Sequence, residues 1–382
     1  MFYPLESNKA GAYLARGSRW VAALGLMWLV IFCCFLVVGC DGADAPQSVE
    51  TVKTPQVQTT RIVTLAPALS QIFVDLNLSD LLVGVSEHDA FAPAGLPVVG
   101  NYLAPNYEAI LACKPTHVLM LWGKEGVPQK LLDLGRSEHF KVITWETPHT
   151  IKDIGNLIYN AKDAEGVTLH NSFYPNHMIY TLKFKFLKNL LDISEVLPFT
   201  SSKAERPRVL MVIGLNPLMI SAPGGTDTVL NDLLVNKLNA TNAGEKYRVS
   251  APVLTGEDLL EIKPDVVLIL SSQIGVPKSI AEANRASGEY PPLQLDLADY
   301  PRLKVFRGLD IPAVKNGRIY LITDPRAVLP ATSLDHLAKQ MAVAIYPEHA
   351  AALLKINTEK IKPIKEKNDE SQDPEAVPDA KK

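Results

Sequence analysis

One helix-strand unit occurs twice in this chain, and this repeat limits the folds that the chain can adopt. Residues 106–121 read NYEAILACKPTHVLML, and residues 256–270 read GEDLLEIKPDVVLIL. Glu108 aligns with Glu257, and the Lys-Pro pair at 114–115 aligns with the pair at 263–264, each 149 residues apart (257 − 108 and 264 − 115). Each copy predicts a short helix with an acid in its first turn, a stop at Lys-Pro and a buried strand of a parallel sheet. The matching register favours two similar lobes over the alternative, in which two ordinary αβ units happen to look alike.

The N-terminal residues predict export and attachment to a membrane. Basic residues precede an uninterrupted apolar run over residues 20–38, which ends in Val-Val-Gly-Cys at 37–40. This order is typical of a secretory signal, here residues 1–39. The last four residues resemble the lipobox of bacterial lipoproteins, in which the cysteine, here Cys40, is lipidated. The alternative is a retained membrane helix, since the run is nearly long enough to span a bilayer. Both interpretations place the following domain outside the cytoplasm and on a membrane.

Cysteine usage agrees with this interpretation. The chain has four cysteines, of which Cys33 and Cys34 lie in the apolar run and Cys40 is the predicted lipid site. Only Cys113 is left for the exported domain, so no intramolecular disulfide is possible there. We expect Cys113 to be a small buried residue without reactivity.

Composition and motifs exclude several function classes. The net charge is −3 with both signs interspersed, and no basic stripe indicates a nucleic-acid partner. The chain lacks Gly-x-Ser-x-Gly and His-Glu-x-x-His. Residues 95–100 have the spacing of a phosphate loop, but Asn101 stands where that loop requires Lys. We therefore predict a protein that is not an enzyme and uses no cofactor.

The hydrophobic pattern predicts an α/β order of elements on either side of a helical middle. In the first lobe, strands are expected at 61–66, 82–85, 97–99, 118–121 and 141–145, with a helix from Ser70. Between residues 175 and 197, apolar residues recur at steps of three and four and predict one long helix that connects the lobes. A buried strand at 208–213 opens the second lobe, and a helix is expected from the turn at 221–226 through Leu238. The predicted organisation is a signal peptide at 1–39, a lipid-anchored spacer at 40–60, an N-terminal α/β lobe at 61–165, a connecting helix and linker at 166–206, a C-terminal α/β lobe at 207–355 and a charged, disordered tail at 356–382.

Seven segments follow one another in the order seen in a known family. They are RIVTLAP, LLVGVSEHDAF, VVGNY, PNYEAILACKPTHVLM, ISAPGGTDTVLNDLL, LTGEDLLEIKPDVVLIL and VKNGRIYLI. Over residues 61–350 the chain resembles the periplasmic binding proteins for iron–siderophores and cobalamin, which are the substrate receptors of ABC importers. The resemblance implies an α/β fold of two Rossmann-like lobes joined by a single long backbone helix, a stiff hinge and a metal chelate bound between the lobes. It also implies an ABC permease as partner and, through it, an ATPase; we expect the receptor itself to be a monomer.

The resemblance also implies which residues carry the function. In this family a glutamate at the head of the repeated helix in each lobe docks into the permease, and these positions are Glu108 and Glu257 here. Carried over by position, the ligand-binding residues are Pro67, Ala68, His88, Tyr102 and Trp122 in the first lobe, and Leu215, Asn216, Ser272, Gln273 and Arg326 in the second. Tyr102 and Trp122 would give flat apolar contact to a macrocycle, and Arg326 would pair with an anionic ligand. The alternatives are half-buried packing residues and a solvated loop arginine.

Three other functions remain open at this point. A receptor for a bare metal ion needs three or four His, Asp or Glu ligands, and the sequence offers only the cluster Glu87-His88-Asp89, so we predict no metal site. A haem receptor would use the same cleft. A tethered sensor or scaffold could be built on the same fold without any importer.

Overall fold

The computed structural model describes residues 60–356, apart from residues 88, 90–91, 124–125, 162–174, 225–227, 271–273, 325–328 and 330. By its contacts the chain divides into the unit Met1–Gln58 and the compact unit Thr59–Lys382, to which both lobes belong. The predicted signal peptide, Cys40, the spacer before Thr60 and the tail after Ile356 lie outside the described residues. Within the described ranges, none of the helices combines the length and the apolar character that a membrane span needs.

The N-terminal lobe is built on a four-stranded parallel sheet with the order β2-β1-β3-β4. Its elements in chain order are β1 Ile62–Thr64, α1 Pro67–Asp75, β2 Leu82–Gly84, α2 Tyr107–Ala112, β3 His117–Trp122, α3 Gln129–Ser137, β4 Lys141–Glu146 and α4 Ile151–Asn160. Helix α1 begins at Pro67, three residues earlier than predicted, because proline suits the first helical position. Ser70 is buried inside this helix, where its hydroxyl pairs with that of Thr64 at 2.5 Å. The strand expected at 97–99 is only a single bridge between Val85 and Val98.

A 22-residue helix, α5 Pro175–Val196, follows the N-terminal lobe as predicted. Its buried residues Ile179, Phe186, Leu190 and Ile193 are members of the predicted apolar stripe. The helix packs against α4 on one side and against the last long helix of the chain on the other. It therefore contacts both lobes, which confirms the predicted fold class.

The C-terminal lobe has a sheet with the order β6-β5-β8-β10-β9, in which β7 also pairs with β5. The pairs that β5 forms with β7 and β8 and the pair of β8 with β10 are parallel, whereas β6 and β9 run antiparallel to their neighbours. The elements in chain order are β5 Arg208–Leu215, β6 Leu218–Ile220, α6 Val229–Asp232, β7 Thr241–Asn242, α7 Gly256–Ile262, β8 Val266–Ile269, α8 Lys278–Ser287, β9 Leu293–Gln294, α9 Pro312–Lys315, β10 Ile319–Leu321, α10 Leu334–Ile345 and α11 Ala350–Leu353. Short 3₁₀ turns occur at Ser79–Leu81, Lys203–Glu205, Pro301–Phe306 and Pro347–His349.

The helix predicted to run through Leu238 differs in form from the expectation. Only Val229–Asp232 is α-helical, and Leu233–Lys237 continues as a π-helix. Leu233, Leu234 and Leu238 are all fully buried in this stretch. The π-helix has a wider turn than the α-helix, so neighbouring leucines can face the core together. An apolar pattern with 3.6 residues per turn does not predict a π-helix.

The repeated unit is present as predicted, and each helix ends before its Lys-Pro pair. Helices α2 and α7 are each followed by a lysine in the left-handed conformation, with φ of 46° at Lys114 and 42° at Lys263. Each lysine precedes a proline, and a residue before proline avoids the right-handed helical region. Helix α2 ends at Ala112, three residues before its proline, and α7 ends at Ile262, two residues before its own. Strands β3 and β8 then follow as buried strands.

The hydrophobic core explains why the lobes form one body. The largest buried cluster contains residues of both sheets together with the long helix: Ile62 and Leu119 from the first sheet, Phe186 and Leu190 from α5, and Val209 and Leu268 from the second sheet. Two smaller clusters cover the outer face of each sheet, beneath α2 and α3 in one lobe and beneath α7 and α9 in the other. Helices α2 and α7 thus lie on the sheet faces that point away from the shared core.

Polar contacts also join the lobes. The Ile151 amide at the start of α4 donates to the Asp232 carboxylate at 2.7 Å. The Thr332 hydroxyl, just before α10, donates to the Asp75 carboxylate at the end of α1. Together with the shared core, these contacts oppose a wide opening of the lobes, in agreement with the stiff hinge that the sequence implies.

Candidate functional site

Three of the predicted residues of the N-terminal lobe, Pro67, Ala68 and Trp122, lie at the carboxyl edge of its parallel sheet. Strands β1 and β3 pair in register, with Thr64 opposite Leu119, so Pro67 and Trp122 each stand three residues past a matched pair. Trp122 is half-buried, and its carbonyl accepts hydrogen bonds from the Thr147 amide at 2.8 Å and hydroxyl at 3.0 Å. Ala68 is buried in the first turn of α1. This edge is where ligands of open α/β sheets bind.

Tyr102 lies on a rigid loop beside the end of β2. The Asn101 side chain accepts hydrogen bonds from the Leu103 and Ala104 amides, both at 2.9 Å, and donates to Glu87 at 2.9 Å. Gly100 has a φ of 81°, and a Cβ there would stand 2.3 Å from the Ala104 carbonyl oxygen. The turn consequently requires glycine, and it holds the side chain of Tyr102 exposed at the rim.

Fewer of the predicted ligand-binding residues of the second lobe belong to the described residues. Leu215 ends β5 and is buried, and Asn216 is exposed in the turn to β6. The register of β5, β8 and β10 places Leu215 and Asp324 at the same carboxyl edge, since Val212 and Leu321 both pair with Ile269. Four predicted ligand-binding residues, His88, Ser272, Gln273 and Arg326, lie outside the described residues and stay predictions.

The two predicted docking carboxylates are both exposed in the first turn of their helices. Glu108 is the second residue of α2, and Glu257 is the second residue of α7. The helices lie on the outer faces of the two sheets, so the carboxylates are on separate lobes. The helix dipole favours a negative charge at such a position without any partner on the chain.

Exposed apolar side chains stand near both carboxylates along the chain, and the sequence reasoning missed them. Val98 and Leu103 precede α2, and Val253 and Leu260 flank Glu257, and all four are exposed. In the first lobe Val98 and Leu103 belong to loops, so no helical or strand spacing indicates their exposure. In the second lobe, Leu260 stands one helical turn after Glu257, and that spacing was a usable signal.

Cys113 behaves as the sequence predicts. It is buried at the end of α2, and burial raises the pKa of its thiol, with a smaller opposing effect from Arg61. A thiol with a raised pKa is a poor nucleophile. Cys113 is therefore a packing residue.

The described ranges contain no group of three His, Cys, Asp or Glu side chains arranged to hold a metal ion. His88, on which the bare-ion alternative depends, lies outside those ranges. Two cavities of about 260 and 480 Å³ are present in the described part of the molecule. The smaller is bounded by the loop after α8, by α10 and by Asp324, the larger by the linker before β5 and the Pro347 turn, and neither is lined by a predicted ligand-binding residue.

Solved structures of periplasmic binding proteins share this two-lobed fold. The periplasmic heme-binding protein RhuT of Roseiflexus sp. RS-1 superimposes with a TM-score of 0.56 at 18% identity, covering 76% of this chain and 100% of that one. HutB, the periplasmic heme-binding protein of Vibrio cholerae, gives 0.54 at 21% identity, with 76% and 100% covered. BtuF, the periplasmic vitamin B12-binding protein of Vibrio cholerae, gives 0.52 at 20% identity, with 77% and 98% covered.

Curated relatives agree with this class. The uncharacterized ABC transporter substrate-binding lipoprotein YvrC of Bacillus subtilis (strain 168) is 23% identical over 304 residues, which is 79% of this chain and 83% of that protein. The vitamin B12-binding protein of Vibrio vulnificus (strain YJ016) is 34% identical over 100 residues, or 26% of this chain and 36% of that protein. No protein-family model matches the chain.

The resemblance read from the sequence is thereby confirmed. The relatives and structural neighbours named above are substrate-binding proteins and not enzymes, and four of them are described as binding vitamin B12 or heme.

Proposed function

We propose that this chain is the extracytoplasmic substrate-binding protein of an ABC importer and that it captures a metal chelate between its lobes. The chelate is of the cobalamin or ferric siderophore class, and haem is the second candidate, since several structural neighbours are heme-binding proteins. The observation that carries the proposal is the carboxyl edge of the first sheet, where Pro67, Trp122 and the rigid Tyr102 loop lie together. Aromatic side chains at such a rim suit a flat macrocycle or an aromatic chelator.

Delivery to the permease is the second part of the proposal. Glu108 and Glu257 are exposed on separate lobes that share one core, so the distance between them is held nearly constant. Two carboxylates at a fixed separation can meet two fixed arginines in charge-assisted pairs, which set orientation and association rate. The exposed apolar residues around each carboxylate would add contact area to the same interface.

Export and membrane attachment complete the proposal. The signal at residues 1–39 supports secretion, and Cys40 is the proposed lipid site. The anchor would keep the receptor near its permease without any further protein partner.

A thermal-shift screen tests the binding role. The chain from Asp41 onward is mixed with cobalamins, haem, ferric siderophores and free metal ions in turn. A ligand at about a hundred times its dissociation constant adds about 2.7 kcal/mol of stability, which raises the Tm by a few degrees in a protein of this size. We expect a shift with one class of chelate or with haem.

Variants separate a cleft site from adventitious binding. Tyr102→Ala and Trp122→Ala are expected to reduce the shift, whereas Phe199→Ala, which removes an exposed aromatic ring from the linker before β5, leaves it unchanged. A shift with a bare ion alone would move the site to His88 and its neighbours. No shift with any compound would favour the sensor or scaffold.

A further inference from the structure

The smaller of the two cavities lies within the C-terminal lobe, and we call it the α10 cavity. It has a volume of about 260 Å³ and lies between the loop at residues 288–292, one side of α10 and residues 354–356 after α11. This volume is below the range of about 300–1,000 Å³ that is typical of sites for drug-sized ligands. The α10 cavity is therefore too small for a macrocyclic chelate, and none of its described lining residues is a predicted ligand-binding residue.

Hydrogen bonds within the chain hold the walls of the α10 cavity. The Thr323 hydroxyl, just after β10, donates to the Pro291 carbonyl at 2.9 Å and accepts from the buried Asn284 side chain at 3.2 Å. The Lys339 ammonium group on α10 donates to the Ile356 carbonyl at 2.8 Å. Because the chain itself fixes these walls, a ligand meets a preformed site and binding orders few side chains.

One buried polar group in the α10 cavity lacks a partner. Gln340 lines the cavity and is 5% exposed. Its side-chain oxygen Oε1 accepts no hydrogen bond from the described part of the chain. A buried acceptor without a donor is costly and uncommon in folded proteins, so it indicates a partner from outside the chain. A small turn of the terminal amide, whose last torsion is broad, presents this oxygen to a donor in the cavity.

The charges around the α10 cavity balance. Its described lining residues include the acids Glu289 and Asp324 and the bases Lys339 and Lys355, so the formal charges sum to zero with His336 counted as neutral. Lys339 uses two of its three ammonium hydrogens on backbone carbonyls. A charged ligand finds no excess of opposite charge here. A hydroxyl group, in contrast, can both donate to an acceptor and accept from an ammonium group.

We propose that the α10 cavity binds a small neutral polyhydroxyl compound of the size of a single sugar or cyclitol ring. One ligand hydroxyl donates to Gln340 Oε1 and accepts the third hydrogen of the Lys339 ammonium group. Another donates to the carboxylate of Asp324, which is 4% exposed and has room for several hydrogen bonds. The site lies within one lobe, so the proposal goes beyond the transport role and does not depend on it.

Water alone is a poorer occupant of the α10 cavity. Tyr290, Pro292 and Val343 also line it and supply apolar surface that offers water few partners. A ring compound carries C–H groups on its faces and hydroxyls at its edge, so it can satisfy the polar groups and cover the apolar wall together.

Saturation-transfer NMR tests the proposal with the chain from Asp41 onward, which contains the whole compact unit. The neutral probes are myo-inositol and D-glucose, and the charged analogues are D-glucosamine and D-gluconate. The Tm is not a suitable measure here, because polyols stabilise proteins in general by exclusion from their surface. We expect saturable binding of at least one neutral probe and at least about fivefold weaker binding of both charged analogues.

Two variants locate the binding in the α10 cavity. Gln340→Leu removes the acceptor with little change of shape, and we expect it to weaken binding about fivefold, the factor that one hydrogen bond contributes. Val343→Phe places a ring in the cavity and is expected to abolish binding. Gln129→Leu on α3 and Val249→Phe make the same changes at exposed positions elsewhere, and both are expected to bind like the unaltered chain.

The proposal is overturned if no neutral probe binds saturably or if a charged analogue binds more tightly than glucose. It is also overturned if both cavity variants bind as well as the unaltered chain, or if the control variants lose as much binding. Circular dichroism checks that all four variants are folded.

Failure of this test is separable from failure of the proposed function. The cavity variants are expected to keep the thermal shift with the chelate, because neither changes a predicted pocket residue. Polyol binding does not require any chelate, so it can be measured even if the screen finds no ligand.

Discussion

The helices of the two repeated units, α2 and α7, are capped at their C-terminal ends by the same kind of contact, an arginine that donates to backbone carbonyls. Before β1, the Arg61 guanidinium donates to the carbonyls of Cys113 at 2.7 Å and Lys114 at 3.0 Å, at the end of α2. At the start of β5, the Arg208 guanidinium donates to the Ile262 carbonyl at 3.0 Å, at the end of α7. A cation at a helix C-terminus satisfies unpaired carbonyls and opposes the negative end of the dipole.

The same arginines also anchor the strands. The Arg61 amide donates to the Thr116 hydroxyl at 2.8 Å, and the Arg208 amide donates to the Asp265 carboxylate at 2.8 Å. Thr116 and Asp265 stand at the same place after the Lys-Pro pairs. The repeat therefore extends to a residue more than fifty positions earlier in each lobe, which the aligned stretches do not contain.

The N-terminal ends of the two helices differ. The Asn106 side chain caps α2 by accepting from the Ala109 amide at 3.1 Å. Helix α7 has a full capping box, in which the Thr255 hydroxyl accepts from the Asp258 amide and the Asp258 carboxylate accepts from the Thr255 amide at 2.8 Å. Only the second cap is ionisable, so the copies share their architecture but differ in their response to pH.

The largest expected effect concerns the two proposed docking carboxylates, which occupy equivalent positions at the start of α2 and α7. Glu108→Ala and Glu257→Ala are each expected to lower chelate uptake at least about tenfold, and the double variant to abolish it, because each removes one charge-assisted pair with the permease. Uptake into cells that express the importer is the measurement, and the thermal shift with ligand should remain.

Glu261→Ala is the matched control, since Glu261 is an exposed acid one turn further along α7, paired with Lys246 at 2.5 Å. Uptake equal to that of the unaltered receptor is expected for this control. If only one of the two glutamates mattered for uptake, the lobes would not be equivalent in docking.

The next effect concerns the helix C-termini. Arg61→Ala and Arg208→Ala are each expected to lower the free energy of unfolding by about 1–2 kcal/mol, because carbonyls lose a charged donor. The loss should be larger for Arg61, which serves two carbonyls, than for Arg208, which serves one. Urea unfolding measures both.

The corresponding lysine variants are the controls for this prediction. Arg61→Lys and Arg208→Lys keep the charge but lose the planar fork, so they should recover only part of the stability. Full recovery with lysine would mean that the charge alone matters at these positions.

A smaller effect separates the two N-caps by pH. Hydrogen bonds from the Thr255 amide and hydroxyl hold the pKa of Asp258 below its usual value. Because the folded pKa is depressed, the stabilisation is complete above the unfolded value near 4 and is lost as pH falls through the folded pKa. Hydrogen-exchange protection in the first turn of α7, corrected for intrinsic rates, is expected to fall in that acidic window.

Asp258→Asn should reduce this pH dependence to that of α2, whose cap residue Asn106 does not titrate. An equal loss of protection in α2 would contradict the assignment to the capping box.

The smallest expected effect concerns the lysines in the left-handed conformation that follow α2 and α7. Lys114→Gly and Lys263→Gly are each expected to stabilise the fold by about 0.5 kcal/mol, because glycine adopts a positive φ without strain but loses more entropy on folding. Thermal unfolding measures both, and the two changes should be alike. Lys237→Gly, at the end of the π-helix, is the control and should be destabilising.

Much of the fold could be predicted from local pattern. The helix-strand repeat, the long helix and its buried residues Ile179, Phe186, Leu190 and Ile193 all follow from periodicity and from stop signals within a few residues. The predicted start of α1 was three residues late, and the π-helix at Leu233–Lys237 was not predicted. Both features depend on capping and packing. The exposed apolar residues of α5 were missed, because only the apolar face that is buried was considered; they are Tyr180, Phe184, Leu187 and Leu191.

The candidate site was less accessible to such reasoning. The strand ends could be predicted to meet, since parallel strands share an edge, and Pro67 and Trp122 do each stand three residues past a matched pair of the neighbouring strands β1 and β3. The rigidity of the Tyr102 loop depends on Asn101 and on the space left by Gly100, which only the folded chain reveals. His88, Ser272, Gln273 and Arg326 stay predictions.

The sequence by itself determined two similar α/β lobes, a connecting helix and an acid at the head of each repeated helix, because these depend on hydrophobic period and on residues that are neighbours along the chain. Only the tertiary structure decided that Arg61 and Arg208 close the repeated helices, that Thr332 reaches Asp75, and that the two sheets share one core across α5. Those contacts join residues between about 50 and 260 positions apart, and such distances are fixed by packing and not by local preference.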